Sequence, residues 1–212
     1  LAFLTGLLIS FWTANSGMSA LFDALNVVFK EKEKRSLLRF YATTFLFTLG
    51  AVAVVIAAIS AVVVLPAVMG VFGLASFSER VISALRRPVP LLVIGIGLSL
   101  IYRYGPSRRE AKWRWVTWGS AFASLAWIAA SMLFSVYVAN FDSYNRTYGT
   151  LGAGVGFMVW MWFSVVIVLL GGELNAAMEL QTARDTTRGE PKPIGRRGAV
   201  VADQVGPALN ER

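Results

Sequence analysis

Long uncharged runs alternate with short basic segments along this chain. Tyr41–Ser78, Pro88–Tyr102, Trp115–Phe141 and Thr147–Gly172 carry no charged side chain, and Leu1–Phe22 is a fifth such run. A hydrocarbon core about 30 Å thick needs roughly 20 consecutive apolar residues in a helix. Tyr41–Ser78, Trp115–Phe141 and Thr147–Gly172 exceed that length unaided. A helix that is apolar all round belongs in lipid or in a large core, not on a soluble surface. The pattern predicts an all-α fold, a polytopic transmembrane helical bundle occupying residues 1–182. Its four full spans fall near 42–65, 88–104, 115–139 and 151–176, with a partial span at 1–13. Leu1–Trp12 lacks the basic start of a signal peptide and reads as the tail of a helix that begins before the given sequence.

Basic residues set the expected orientation. Lys30–Arg39 holds five Lys or Arg, Arg103–Arg114 holds five, and the tail after Gln181 holds six. Short loops rich in Lys and Arg stay in the cytoplasm. These three segments are therefore expected inside, the C-terminus included, while 66–87 and 140–150 lie outside. Val89–Tyr102 is short enough to be a re-entrant or buried helix, but parity favours a full crossing, with Arg86, Arg87 and Arg103 snorkelling at its ends. Met18, Leu21, Phe22, Leu25, Val28 and Phe29 recur at helical spacing. Asn15 or Ser16 would cap that helix as a separate membrane-surface element, or the helix would continue the first span. A partly buried short helix is expected within 66–87. Residues 183–212 hold Gly189, Pro191, Pro193 and Gly195 among polar groups and are expected to be a disordered cytoplasmic tail.

Composition sharpens this reading. The 212 residues are 56% hydrophobic and 15% charged, against about 25% charge in soluble domains. The net charge of +8 sits beside the ends of apolar runs. It therefore points to anionic headgroups at the cytoplasmic face, with membrane lipids as partners, and not to nucleic acid. The chain has no Cys and no His, which excludes disulfides, thiolate metal sites and Ser-His or Cys-His triads. No metal or other cofactor is expected.

The candidate chemistry is sparse. Ala53, Ala57 and Ala61, then Gly119 with Ala123, and Gly152 with Gly156 form small-residue rows. Such rows pack helices in lipid and leave a homo-oligomer open. Trp127, Trp160 and Trp162 fall well inside their spans and either line a cavity or pack against lipid and core. Glu173, in Gly171-Gly172-Glu173-Leu174-Asn175, is the one acidic group near a span interior. It is either an interfacial carboxylate paired with a basic loop, or part of a polar site in which Glu173 and Asn175 face Arg103 or Arg108 and Arg109. Tyr137, Asn145 and Tyr148 lie in a polar, aromatic outer segment that is either a turn or a contact for headgroups or a solute.

Several motifs are shared with a known family. Tyr102-Arg103-Tyr104-Gly105-Pro106-Ser107-Arg108-Arg109, Trp113-Arg114-Trp115-Val116, Tyr144-Asn145, Tyr148-Gly149-Thr150-Leu151-Gly152 and Gly171-Gly172-Glu173-Leu174-Asn175 occur in this order. In these motifs the chain resembles the YihY/virulence factor BrkB family, as far as about Glu179. The resemblance implies a multi-pass bacterial inner-membrane protein of six helices with both termini cytoplasmic, this chain beginning in the second. It also brings the label ribonuclease BN, regarded as a misassignment, and links to serum resistance and envelope lipid export. The expected function is a non-enzymatic transporter or lipid-handling permease, the alternative a structural or accessory envelope protein. A ribonuclease is not expected.

Overall fold

The computed structural model describes residues 2–64, 68, 71, 88–139 and 150–206. They form helices α1 (Ala2–Val28), α2 (Leu37–Ile59), α3 (Pro88–Tyr104), α4 (Trp113–Ala139) and α5 (Thr150–Leu180), with a π-helical turn at Ser60–Val64. The fold is all-helical; among the described residues the one extended pairing is an antiparallel bridge between Ala111 and Thr187. The short helix expected within 66–87, apart from 68 and 71, and the outer segment 140–149 lie outside the described residues.

Among the described residues three helices are long and apolar enough to cross a membrane: α2, α4 and the Gly152–Leu180 part of α5. Leu46, Leu125, Leu133, Met158 and Trp162 are exposed on them, as side chains bathed in hydrocarbon would be. α3 is 17 residues long, at the lower limit of about 17–25 for a crossing.

Of the two alternatives for the segment after residue 13, α1 takes the continuation of the first span and not a separate capped helix. It runs unbroken through Asn15-Ser16-Gly17. Thr13, Ser16 and Ser19 each donate their hydroxyl to the carbonyl four residues back, on Ile9, Trp12 and Asn15, at 2.9, 3.0 and 2.9 Å. A hydroxyl satisfied inside the helix does not cap a new one. α2 begins at Leu37, five residues before the expected boundary, because the Phe40 amide already donates to the Ser36 carbonyl at 2.9 Å.

The described residues fall into two compact units, 1–23 with 34–93 and 24–33 with 94–212. In the first unit, Phe11 meets Phe45 and Phe22 meets Phe47 between α1 and α2, with ring centroids 5.9 and 5.2 Å apart. The hydroxyl oxygens of buried Ser19 and Thr44 lie 3.3 Å apart. Arg35 closes this end by lying over the rings of Phe22 and Phe40 at 5.8 and 5.4 Å. Toward the start of α1 the helices part around an apolar cleft of about 580 Å³. It is walled by Phe3, Gly6, Leu7, Ser10 and Phe11 from α1 and by Val52 from α2.

The second unit is built on the α4–α5 pair. A β-carbon on Gly119 would run into the Gly171 carbonyl and the Asn175 amide, and one on Gly171 would lie 2.7 Å from Ala123 Cβ. Glycine here is what lets the two backbones approach. α3 joins through Ser99 and Ser120, whose hydroxyls are 2.6 Å apart, and through the Tyr102 hydroxyl, which donates to the Val168 carbonyl at 2.6 Å.

Residues 183–206 depart from the expected disordered tail: they fold into a cap on the second unit. Arg197 is buried and donates to the carbonyls of Ala183, Arg184, Lys192 and Ala202. Asp203 accepts the amides of Gly195, Arg197 and Gly198. Gly189, Gly195 and Gly198 have φ of +97°, +86° and +75°, a region that side chains with a β-carbon rarely enter. A reading based on apolar content does not see an order built from one guanidinium, one carboxylate and three glycines.

Candidate functional site

α3 leads into a tight turn at Gly105, whose amide donates to the Ile101 carbonyl at 2.7 Å. A β-carbon at Gly105 would sit 2.5 Å from that oxygen. The turn delivers the Ser107 amide to Asn26 Oδ1 at 2.7 Å and directs Arg108 inward. Arg108 then forms a two-pronged ion pair with Glu179 of α5, at 2.8 Å on both prongs. Both side chains are 0% exposed. Phe29 stacks on the guanidinium at 4.2 Å, and the Thr186 hydroxyl of the cap donates to Glu179 Oε2 at 2.9 Å. A pair this buried, with both Glu179 oxygens bonded, is a lock on the fold, since removing one partner strands the other charge.

Arg103 lies one turn back on α3, with its guanidinium 4.4 Å from the Trp113 ring and 5.4 Å from the Tyr104 ring. Its Nη2 donates to Glu110 Oε2 at 3.1 Å, and Arg188 of the cap donates to the same oxygen at 3.1 Å. Burial alone would raise the Glu110 carboxyl, but its bonds and charges from Arg188 and Arg103 hold it below the usual range. The Arg109 amide donates to the Gly198 carbonyl at 2.9 Å. Among the described residues four buried guanidinium nitrogens are without a hydrogen-bond partner: Arg103 Nε and Nη1, Arg108 Nε and Arg109 Nη1. The cap is pinned at further points, where Lys112 and Arg188 amides donate to the Thr186 and Glu110 carbonyls at 2.8 Å each and the Val200 amide to Glu31 Oε1 at 2.7 Å. Segments of the three basic stretches thus meet at one end of this unit.

The structure does not bring Glu173 and Asn175 to the arginines. Glu173 is exposed. Asn175 is buried against α4, accepting the Gly119 amide at 2.8 Å and donating to the Val116 carbonyl at 3.4 Å. Two residues along a helix turn about 200°, so the two side chains leave opposite faces. Glu179, four residues beyond Asn175, shares its face and is the carboxylate that meets Arg108. Sequence reasoning missed it because it stands where the run turns polar. The signal available was its i+4 spacing from Asn175.

Trp127 and Trp160 form an edge-to-face pair at 5.7 Å across α4 and α5. Their ring N–H groups donate to Ser164 and Ser131 Oγ at 2.8 and 3.3 Å. They hold the helix pair together. Tyr137 is exposed beside Phe134, with ring centroids 6.2 Å apart. Asn145 and Tyr148 lie outside the described residues. Among the described residues no group of three or more acidic side chains is placed to hold a metal ion.

The chain is 32% identical over 182 residues to the ribonuclease-like protein YfkH of Bacillus subtilis, covering 82% of this chain and 64% of that protein. It is 29% identical over 167 residues to a UPF0761 membrane protein of Idiomarina loihiensis, covering 76% of this chain and 56% of that one. The chain therefore spans less than two thirds of the length of these relatives. No solved structure matches it. The family model described as virulence factor BrkB matches residues 2–195, and with that match, its apolar helices and these relatives the chain belongs to the virulence factor BrkB family of membrane proteins.

Proposed function

We propose that this chain is a non-enzymatic, lipid-handling protein of the bacterial inner membrane, and that the cleft between α1 and α2 takes an acyl chain of a membrane phospholipid. The cleft is the observation that carries this reading: about 580 Å³, walled by Phe3, Leu7, Phe11 and Val52, with Ser10 as its polar wall. An apolar trough on helices immersed in lipid is filled by hydrocarbon because that is the surrounding medium. Loops rich in Lys and Arg support a cytoplasmic C-terminus and contact with anionic headgroups, and nucleic acid is not a partner in this reading.

The ribonuclease wording attached to YfkH does not carry over. The chain lacks His and Cys, and four of its carboxylates are engaged elsewhere: Glu179 with Arg108, Glu110 with Arg103 and Arg188, Asp185 and Asp203 with backbone amides. A second reading, a structural or accessory envelope protein, is favoured by the close approach of the α4 and α5 backbones at Gly119 and Gly171.

Reconstitution with a fluorescent phospholipid separates the two. Vesicles with the folded protein are expected to move the probe between leaflets faster than empty vesicles. Gly6→Phe, at a position with no neighbour within 4 Å of a β-carbon, is expected to fill the cleft and abolish that gain. Equal rates with and without folded protein would reject lipid movement and leave the structural reading.

A further inference from the structure

The oxygen between Arg103 and Arg188 occupies a position built for an oxyanion. Glu110 Oε2 is 3.1 Å from Arg103 Nη2 and 3.1 Å from Arg188 Nη1. The Arg103 side chain is 4% exposed, and its Nε and Nη1 are buried without a hydrogen-bond partner. A buried guanidinium with two unmet donors and one single-point contact is underserved. The position is nonetheless open to solvent, because the Glu110 and Arg188 side chains are 37% and 69% exposed. Trp113 and Tyr104 hold the Arg103 plane in place, so little freedom is lost when a ligand arrives. Arg108 offers nothing comparable, since both oxygens of Glu179 already face it and both side chains are sealed from solvent.

We infer that the position held by Glu110 Oε2 is a binding site for a phosphate oxyanion, with Glu110 acting as the internal competitor that occupies it in the ligand's absence. A phosphate group brings more oxygens and more charge than one carboxylate and suits the fork of a guanidinium. It can serve Arg103 and Arg188 together. The same chemistry is presented by inorganic phosphate and by the headgroup of an anionic phospholipid. The site lies in the second unit and does not depend on the acyl-chain reading of the α1–α2 cleft.

Titration of the full protein in phosphatidylcholine nanodiscs tests this, with inorganic phosphate and dihexanoyl phosphatidylglycerol as separate probes. Wild type is expected to bind at least one of them. Glu110→Gln, which removes the competing charge, is expected to bind that probe at least about threefold tighter, and Arg188→Ala at least about threefold weaker. A purely structural Glu110 predicts the opposite sign, because its loss would loosen Arg103. Binding of the lipid alone assigns a headgroup, and binding of phosphate assigns the free ion. Failure of both probes, or Glu110→Gln binding no tighter than wild type while retaining its helical circular dichroism, overturns the proposal. Arg188 is exposed enough that its replacement leaves folding intact, so its arm reads out even if Glu110→Gln is unstable.

Discussion

Arg108 and Glu179 show how little a residue's type says about its energetic weight. Glu173 and Glu179 are both single acidic groups near the end of α5, yet one is exposed and the other is sealed against a guanidinium. Glu179→Ala is expected to cost about 3–5 kcal/mol, and Glu173→Gln less than about 0.5 kcal/mol. Thermal unfolding in detergent would separate them. The arginines could be flagged from sequence because they recur in a short motif, but the partner of Arg108 could not, because pairing depends on where the cap and α5 place their polar atoms. Asp185 adds a pH dependence. Burial alone would raise its carboxyl, but the Lys192 and Thr187 amides, the Thr187 hydroxyl and the Arg197 charge hold it below the ordinary range. A carboxyl lowered in the folded state contributes stability that is present above its unfolded value of about 3.9 and is lost as pH falls through the folded value. The amides of residues 183–206 are therefore expected to keep their protection, measured against the intrinsic exchange rate at each pH, down to about pH 4 and to lose it below. Protection that persists unchanged well below that point would show that Asp185 does not hold the cap.

Among the elements, α4 and α5 depend on contacts that the sequence displayed openly. Gly119, Gly171 and Asn175 sit in recognisable small-residue and Gly-Gly motifs, and the structure uses them to bring two backbones together. Gly171→Leu is expected to part the helices, because its side chain would meet Ala123 and Tyr102. The cost should exceed about 3 kcal/mol, since overpacking a tight contact forces backbone shifts, and near-ultraviolet circular dichroism of the Trp127–Trp160 pair would report it. Trp127→Phe keeps the ring contact but loses the hydrogen bond to Ser164, which should cost about 0.5–1.5 kcal/mol. The continuity of α1 was harder to read. Asn15, Ser16 and Gly17 look like a helix start in sequence, and the competing option, hydroxyls bonding backward within one long helix, has the same composition.

At the scale of the molecule, hydropathy alone led to an all-helical membrane protein, because long uncharged runs permit few other outcomes. The folded state of 183–206 was not legible, since it rests on directed polar bonds that leave no trace in periodicity. Meeting of the basic segments at one end of the second unit bears on topology. Because the chain has no native Cys, single reporters at exposed Lys32 and Glu190 can be read cleanly. Lys32→Cys and Glu190→Cys are expected to react with an impermeant maleimide from the same side of the membrane, and labelling from opposite sides would contradict their shared end. The cap also bears on any shortened version of this protein. A chain stopped at the last hydrophobic turn, near Leu180, would expose Arg108 beside a Glu179 stripped of its Thr186 donor. One stopped before Ala202 would deprive Arg197 of a carbonyl and three amides of Asp203. Trimming the polar end to aid expression would thus remove a keystone, and the shortened protein should aggregate where the longer one remains dispersed.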